Sequence, residues 1–271
     1  MSEYFEKFNR IINHANSFTR SCDPFREEIQ LREKRRPSDT ITHDALFEKL
    51  CKVVAYSQGA KSKSVDGILD NQLKHAVAGY QIVEAAKLNP LDVVEDHWER
   101  IKGIRKKTKI FHMIQMARNI VGTRTKEGIG NFLADSGLPD AIKSEADIDT
   151  FWSAFHVLRA RLIERDFPFV KEQTSLLHLL MEFGFDCAKP DSAVLKAALR
   201  MGLISSIPAK TGRKAERACE DVVRKIQHYA LARCMRPPVV DWYLLLEGGQ
   251  TGALEKVKKT GYAPLYQKSG A

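Results

Sequence analysis

Apolar residues recur at helical spacing through most of the chain. Phe5, Phe8, Ile12, Ala15 and Phe18 share one face of an N-terminal segment with charges between them, the pattern of an amphipathic helix. A charged run from Arg32 to Pro37 breaks the pattern. Ser38-Asp39-Thr40 then opens a second stretch whose apolar face is Leu46, Leu50, Val53 and Val54. The polar segment Tyr56–Ala60 predicts a helix end and turn. Helical patterning resumes over 64–87, over Val93 to Ile120, and over 147–164, the last bracketed by Gly137-Leu138-Pro139 and Phe167-Pro168. An apolar run from Leu176 to Phe183 stops at Gly184, a helix-end signal, and Asp191 precedes a helix expected over 192–200. A basic loop is expected from Ser205 to Arg217, then a helix to Met235 and a break at Pro237-Pro238. The apolar runs Val239-Val240 and Tyr243–Leu246 are too short for their period to separate strand from helix. Strand signals are weak elsewhere and no internal repeat is visible. The expected fold is all-α.

Composition agrees with that picture and adds charge. The 271 residues suit one large domain or two small ones, and Gly and Pro, 16 and 10 residues, are too sparse for a turn-rich β protein. No run approaches the ~20 apolar residues of a membrane helix, and the acidic N-terminus lacks a signal-peptide core. Five scattered cysteines (Cys22, Cys51, Cys187, Cys219, Cys234) contain no C-x-x-C pair; they suit free thiols in a reducing cytoplasm and exclude a four-cysteine metal or iron–sulfur site. Zinc-protease, P-loop and dinucleotide motifs are absent.

The formal net charge is +9, and it is clustered. Residues 100–126 carry nine Lys or Arg and no acid, and residues 186–271 carry fifteen Lys or Arg against eight acids. Clustering favours a polyanionic partner. An anionic lipid surface ranks below nucleic acid, because no basic helix carries a large aromatic face.

Three ordered segments resemble the helix-hairpin-helix DNA glycosylase superfamily, the group that includes endonuclease III. Leu50–Val65, containing Tyr56-Ser57-Gln58, is similar to the family helix that ends in Ser-Ala-Gln. Phe167-Pro168-Phe169-Val170-Lys171-Glu172-Gln173-Thr174-Ser175 lines up with the hairpin Leu-Pro-Gly-Val-Gly-x-Lys-Thr-Ala. Lys189-Pro190-Asp191 through Arg200-Met-Gly-Leu203 is similar to the family segment that carries the catalytic aspartate. Asp191 lies eighteen positions after Gln173, the family's spacing from hairpin lysine to aspartate. A weaker fourth match is Trp242 to Gly248, resembling a Trp-centred C-terminal helix.

The resemblance implies a two-lobed helix-hairpin-helix glycosylase fold. One six-helix lobe is expected over 40–185 and a second over 1–39 plus 186–271, with the DNA cleft and Asp191 between them. It implies a monomer that binds double-stranded DNA carrying a modified base and needs no cofactor. Asp191 takes the catalytic role, and Ser57, Gln58, Lys171, Gln173 and Thr174 contact DNA, with Gln58 filling the space the base leaves. Gln173 stands where lyase-active members carry lysine, so no Schiff base forms, and base release by water without strand scission is expected. Phe169 and Lys171 replace both hairpin glycines.

A carboxylate suffices chemically, because breaking an N-glycosidic bond develops positive charge on the sugar. Aspartate before a helix is equally a common N-cap, and the two roles are compatible. For the base pocket the candidates are Tyr56, Asp241 as an acceptor and Trp242 as a stacking ring; a capped helix with a buried Trp is the rival for the last two. His112, Trp98, Trp152 and Cys187 read as packing or surface residues. The alternative from another class is a non-catalytic DNA-binding module on the same scaffold, motivated by the altered hairpin.

Overall fold

The computed structural model describes residues 3–37, 41–57, 59–209 and 212–266, with Ser62 described by its backbone. Among them no strand forms; the nearest feature is an isolated bridge between Gly122 and Glu127. The protein is all-α, as its periodicity predicts. The helices are α1 (Glu3–Thr19), α2 (Asp23–Lys34), α3 (His43–Tyr56), α4 (Ser62–Ile68), α5 (Lys74–Ala76, reached through a π turn), α6 (Ile82–Lys87) and α7 (Pro90–Ile101). They continue with α8 (Thr108–Val121), α9 (Glu145–Glu164), α10 (Gln173–Glu182), α11 (Ser192–Arg200), α12 (Arg213–Ala232), α13 (Pro237–Glu247) and α14 (Thr251–Val257).

These helices form two compact units. One comprises Met1–Pro37, Pro139–Trp152 and Glu172–Ala271, the other Ser38–Leu138 and Ser153–Lys171. The division differs from the expected 40–185 and 1–39 plus 186–271, because 139–152 and 172–185 pack with the terminal segments. Specific contacts explain this. Ile142 N donates to Asp186 Oδ2 (2.9 Å), Trp152 Nε1 donates to Gln227 Oε1 (2.8 Å), and Arg224 pairs with Asp149 (3.1 Å).

In the first unit α13 is buried along its whole length and packs against α1, α2, α11, α12 and α14. A helix buried all round belongs at the centre of a core, and each fully buried Leu or Val stabilises it by about 1.5–3 kcal/mol. Pro237 and Pro238 do not break this helix; they start it, because the first turn of a helix has no use for their missing N–H groups. Arg236 precedes them and is 9% exposed. Its guanidinium holds Asp186 Oδ1 (2.7 Å), Arg32 O (2.9 Å), Gly184 O (2.6 Å) and Arg35 O. The same unit contains α2, which starts at Asp23-Pro24 and ends at Lys34, inside the charged run Arg32–Pro37.

In the second unit α8 is central, packing against α3, α6 and α7 through Ile110, Met113, Ile114, Met116, Ala117 and Ile120. Thr42 caps α3 and Asn89 caps α7 through their side-chain oxygens.

Candidate functional site

Asp191 is the N-cap of α11. Its Oδ1 accepts from Ala193 N (2.9 Å) and Val194 N (3.2 Å), meeting donors that the first helical turn otherwise leaves free. The second oxygen lies 3.6 Å from Lys189 Nζ, and a quarter of the side chain is exposed. One carboxylate oxygen is thus held by the helix, while the other faces a flexible cation and solvent.

The hairpin segment joins α9 to α10. Asn119 Nδ2 donates to the carbonyls of Arg165 and Asp166 (both 3.2 Å), and Phe167 N to Leu162 O (2.9 Å), closing the end of α9. Phe169, at the first glycine position of the resemblance, has φ 73°. The left-handed conformation is therefore present without glycine, at a cost of about 1–2 kcal/mol. Lys171 is exposed, and its carbonyl accepts from Arg159 Nη2 (2.5 Å).

One of the expected DNA contacts is corrected here. Gln173 is 4% exposed, with Nε2 lacking a partner among the described residues, so it does not present a donor to a phosphate. Thr174, at the start of α10, is half-buried. Of the three hairpin candidates, Lys171 alone offers an exposed cation.

Asp241 and Trp242 also lie inside the first unit. Asp241 is fully buried; Oδ1 accepts from Lys189 N (3.0 Å) and Oδ2 pairs with Arg32 Nη1 (3.2 Å). Burial pushes its carboxyl up to about 6, against the pull of Arg32. Trp242 is 5% exposed, stacks on Phe25 (centroids 6.0 Å) and carries Arg32 at 5.1 Å and Lys256 at 5.5 Å over its ring. The expected base-stacking role needs an open ring face, and Trp242 has none. Asp241 likewise has no oxygen left for a base edge.

The remaining candidates belong to the second unit. Tyr56 OH donates to Asp66 Oδ1, and Ser57 Oγ donates to Val54 O (2.6 Å) at the end of α3. Gln58, the expected plug, lies outside the described residues.

Sequence reasoning missed Lys109. It is fully buried and donates to Ala55 O (2.8 Å) and Ser57 O (2.7 Å), capping the carbonyl end of α3. Burial first, then Lys106 and Arg105, lower its ammonium to about 8. Its pKa is lower folded than unfolded, so between about pH 8 and 10.5 the unfolded chain binds more protons and stability rises with pH. Lys109→Met should lower stability at pH 7 by about 1–3 kcal/mol through two orphaned carbonyls. It should also abolish that alkaline rise; urea melts of both proteins at pH 7.5 and 10 check this, and parallel curves would refute it.

The nine cations of 100–126 therefore do different work. Lys109 is internal, and Arg118 donates to Ala86 O (3.0 Å) and Leu88 O (2.7 Å). Lys102, Arg105, Lys106 and Lys107 are exposed on the turn between α7 and α8. Arg105 Nη1 binds Gly59 O (2.5 Å), and a Cβ on Gly103 would sit 2.7 Å from Ser64 O. The turn thus lies directly on α4, where Lys61 and Lys63 are also exposed. Six exposed cations thus lie on two stretches, 61–63 and 102–107, that pack together. In the basic C-terminal third Arg236 is buried, and Arg200, Lys225 and Lys256 bind Glu247 O, Leu203 O and Glu28, while Arg213, Lys214, Arg217, Lys258 and Lys259 are exposed.

A pocket of about 670 Å³ lies along 203–209 and the start of α12, and another of about 360 Å³ lies between the end of α8, the 123–129 loop and Arg165. Neither includes an expected site residue. Burial drives the Cys187 thiol well up and the His112 imidazole down. Among the described residues no three His, Cys, Asp or Glu side chains converge to hold a metal ion, and no helix is long and apolar enough to cross a membrane. The fold defines an all-α protein of two units. No family model matches the chain, and neither a curated protein nor a solved structure is similar to it at a significant level.

Proposed function

We propose that the chain is a monofunctional DNA glycosylase on a two-lobed helix-hairpin-helix scaffold, which extrudes a modified base from duplex DNA and hydrolyses its N-glycosidic bond. The observation that carries this reading is Asp191. It opens α11 eighteen positions after Gln173, with one oxygen fixed by two helix amides and the other free of them. The left-handed Phe169 in the preceding turn and the exposed cations of 61–63 and 102–107 support it.

In the reaction the bond from C1′ to the base breaks as positive charge develops on the sugar. The Asp191 carboxylate stabilises that charge and takes a proton from the attacking water. The water oxygen joins C1′, the base departs with the bonding pair and takes a proton from solvent water, and Asp191 returns its proton to solvent. Extruding the base costs a few kcal/mol of stacking. An amide at position 173 forms no Schiff base, so the abasic strand stays intact.

The test is a panel of duplexes with alkylated purines, oxidised purines and modified pyrimidines, developed with and without alkali. At least one lesion should give strands cleaved only after alkali. Scission without alkali overturns the monofunctional chemistry. No abasic sites with any lesion, while binding persists, identifies a non-catalytic DNA-binding module.

A further inference from the structure

We infer that Asp241, held by Arg32, is a positioning residue that sets the Lys189-Pro190-Asp191 turn and through it the Asp191 carboxylate. This rests on reading Asp191 as the reacting group. The contacts form a continuous chain. Glu28 Oε1 and Pro238 O accept from Arg32 (both 2.9 Å), and Arg32 Nη1 reaches Asp241 Oδ2 (3.2 Å). The other oxygen of Asp241 accepts from Lys189 N (3.0 Å), Asp191 N donates to Lys189 O (2.7 Å), and Asp191 Oδ1 receives the amides of Ala193 and Val194.

The chemistry of the position argues for a role beyond filling space. A fully buried carboxylate pays a large desolvation cost, and an apolar pair of similar volume often stabilises a core at least as well. What an apolar residue cannot do is receive the Lys189 N–H. That amide sits in a turn where Pro190 contributes no donor, so Asp241 is an anchor for the turn on the α13 side. Both its oxygens are committed within the protein, which separates it from a group that touches substrate.

The test compares two variants in which the buried charge pair is gone: Arg32→Met with Asp241→Asn, and Arg32→Met with Asp241→Leu. Asparagine keeps an oxygen for Lys189 N; leucine does not. Native-state amide exchange gives the readout that needs no activity. The Leu variant should exchange about tenfold or more faster at Lys189, Ala193 and Val194, with Val222 and Ile226 of α12 unchanged, while the Asn variant stays close to wild type. Single-turnover excision should fall about tenfold or more in the Leu variant with DNA affinity nearly unchanged, and recover in the Asn variant. Equal exchange at those three amides in both variants overturns the inference. The wild-type protein alone supplies a second check: Lys189 N–H should exchange as slowly as the amides of α13, and exchange at the rate of an open turn overturns the contact. The two readings fail separately. Absence of excision in wild type removes the glycosylase, while the exchange contrast still decides whether Asp241 holds the turn.

Discussion

Asp191→Asn should lower the single-turnover rate of base release by about 10²–10⁴-fold, the usual range for removing a general base or a charge-stabilising group. Binding to lesion duplex should be nearly unchanged. The substitution separates two roles that share one residue. Asparagine caps a helix about as well as aspartate, so Ala193 N and Val194 N keep an acceptor and the melting temperature should hardly move. What is lost is the negative charge and the ability to take a proton from water. Asp191→Ala gives the complementary result: the same loss of rate plus about 1 kcal/mol of stability from the missing cap. If Asp191→Asn releases base as fast as wild type while Asp191→Ala is merely less stable, the residue is a cap and nothing more.

The all-α class and many of the helix limits are legible in the sequence because they depend on local physics. The face of α1 and the Asp191 cap of α11 each rest on neighbours within a few positions. Two elements defeat that reasoning for opposite causes. α2 is mostly charged and buries only Phe25 and Arg32, so it offers almost no periodic face. α13 is buried on every side, Asp241 and Glu247 included, so its apolar residues mark no single face. In both cases the deciding contacts come from distant residues: Asp241 for Arg32, and α1, α11 and α12 for α13.

The candidate site divides along the same line. Asp191 could be found by its position before a helix and its spacing from the hairpin. The roles of Asp241, Trp242, Gln173 and Lys109 could not, because polarity in a sequence does not tell whether the partner is solvent, a ligand or a carbonyl far along the chain. The charge count misled for that reason. A lysine contributes equally to a net of +9 whether it is exposed, like Lys106, or sealed under α3, like Lys109. The structure brings exposed cations together at the turn between α7 and α8 and the start of α4, and leaves others exposed in the C-terminal third, among them Arg213, Lys214, Arg217, Lys258 and Lys259.

Gly248→Ala should be among the most damaging single substitutions in the first unit. Gly248 is helical (φ −73°, ψ −9°), so alanine meets no backbone strain there. The obstacle is space. An added Cβ would lie 2.0 Å from Ala193 O and 2.5 Å from Ala193 C, against the about 3.5 Å at which carbon atoms rest in contact. Those atoms are backbone in the first turn of α11, so no rotamer change relieves the clash; the end of α13 and the start of α11 must separate by more than an ångström. Overpacking of this kind costs about 1–3 kcal/mol and more where the neighbour is rigid. For a chain of this size each kcal/mol lowers the melting temperature by about 2–4 °C. The displaced turn also carries the Asp191 cap two residues before Ala193, and a shift of about 1 Å costs about a hundredfold in rate. Gly249→Ala is the matched control. Its φ of 80° makes alanine strained, yet no atom lies within 4 Å of the added Cβ. It should lose stability by about 1–2 kcal/mol and keep the rate of base release. Equal losses of rate in the two variants would mean that stability at the end of α13, and not its contact with Ala193, governs Asp191.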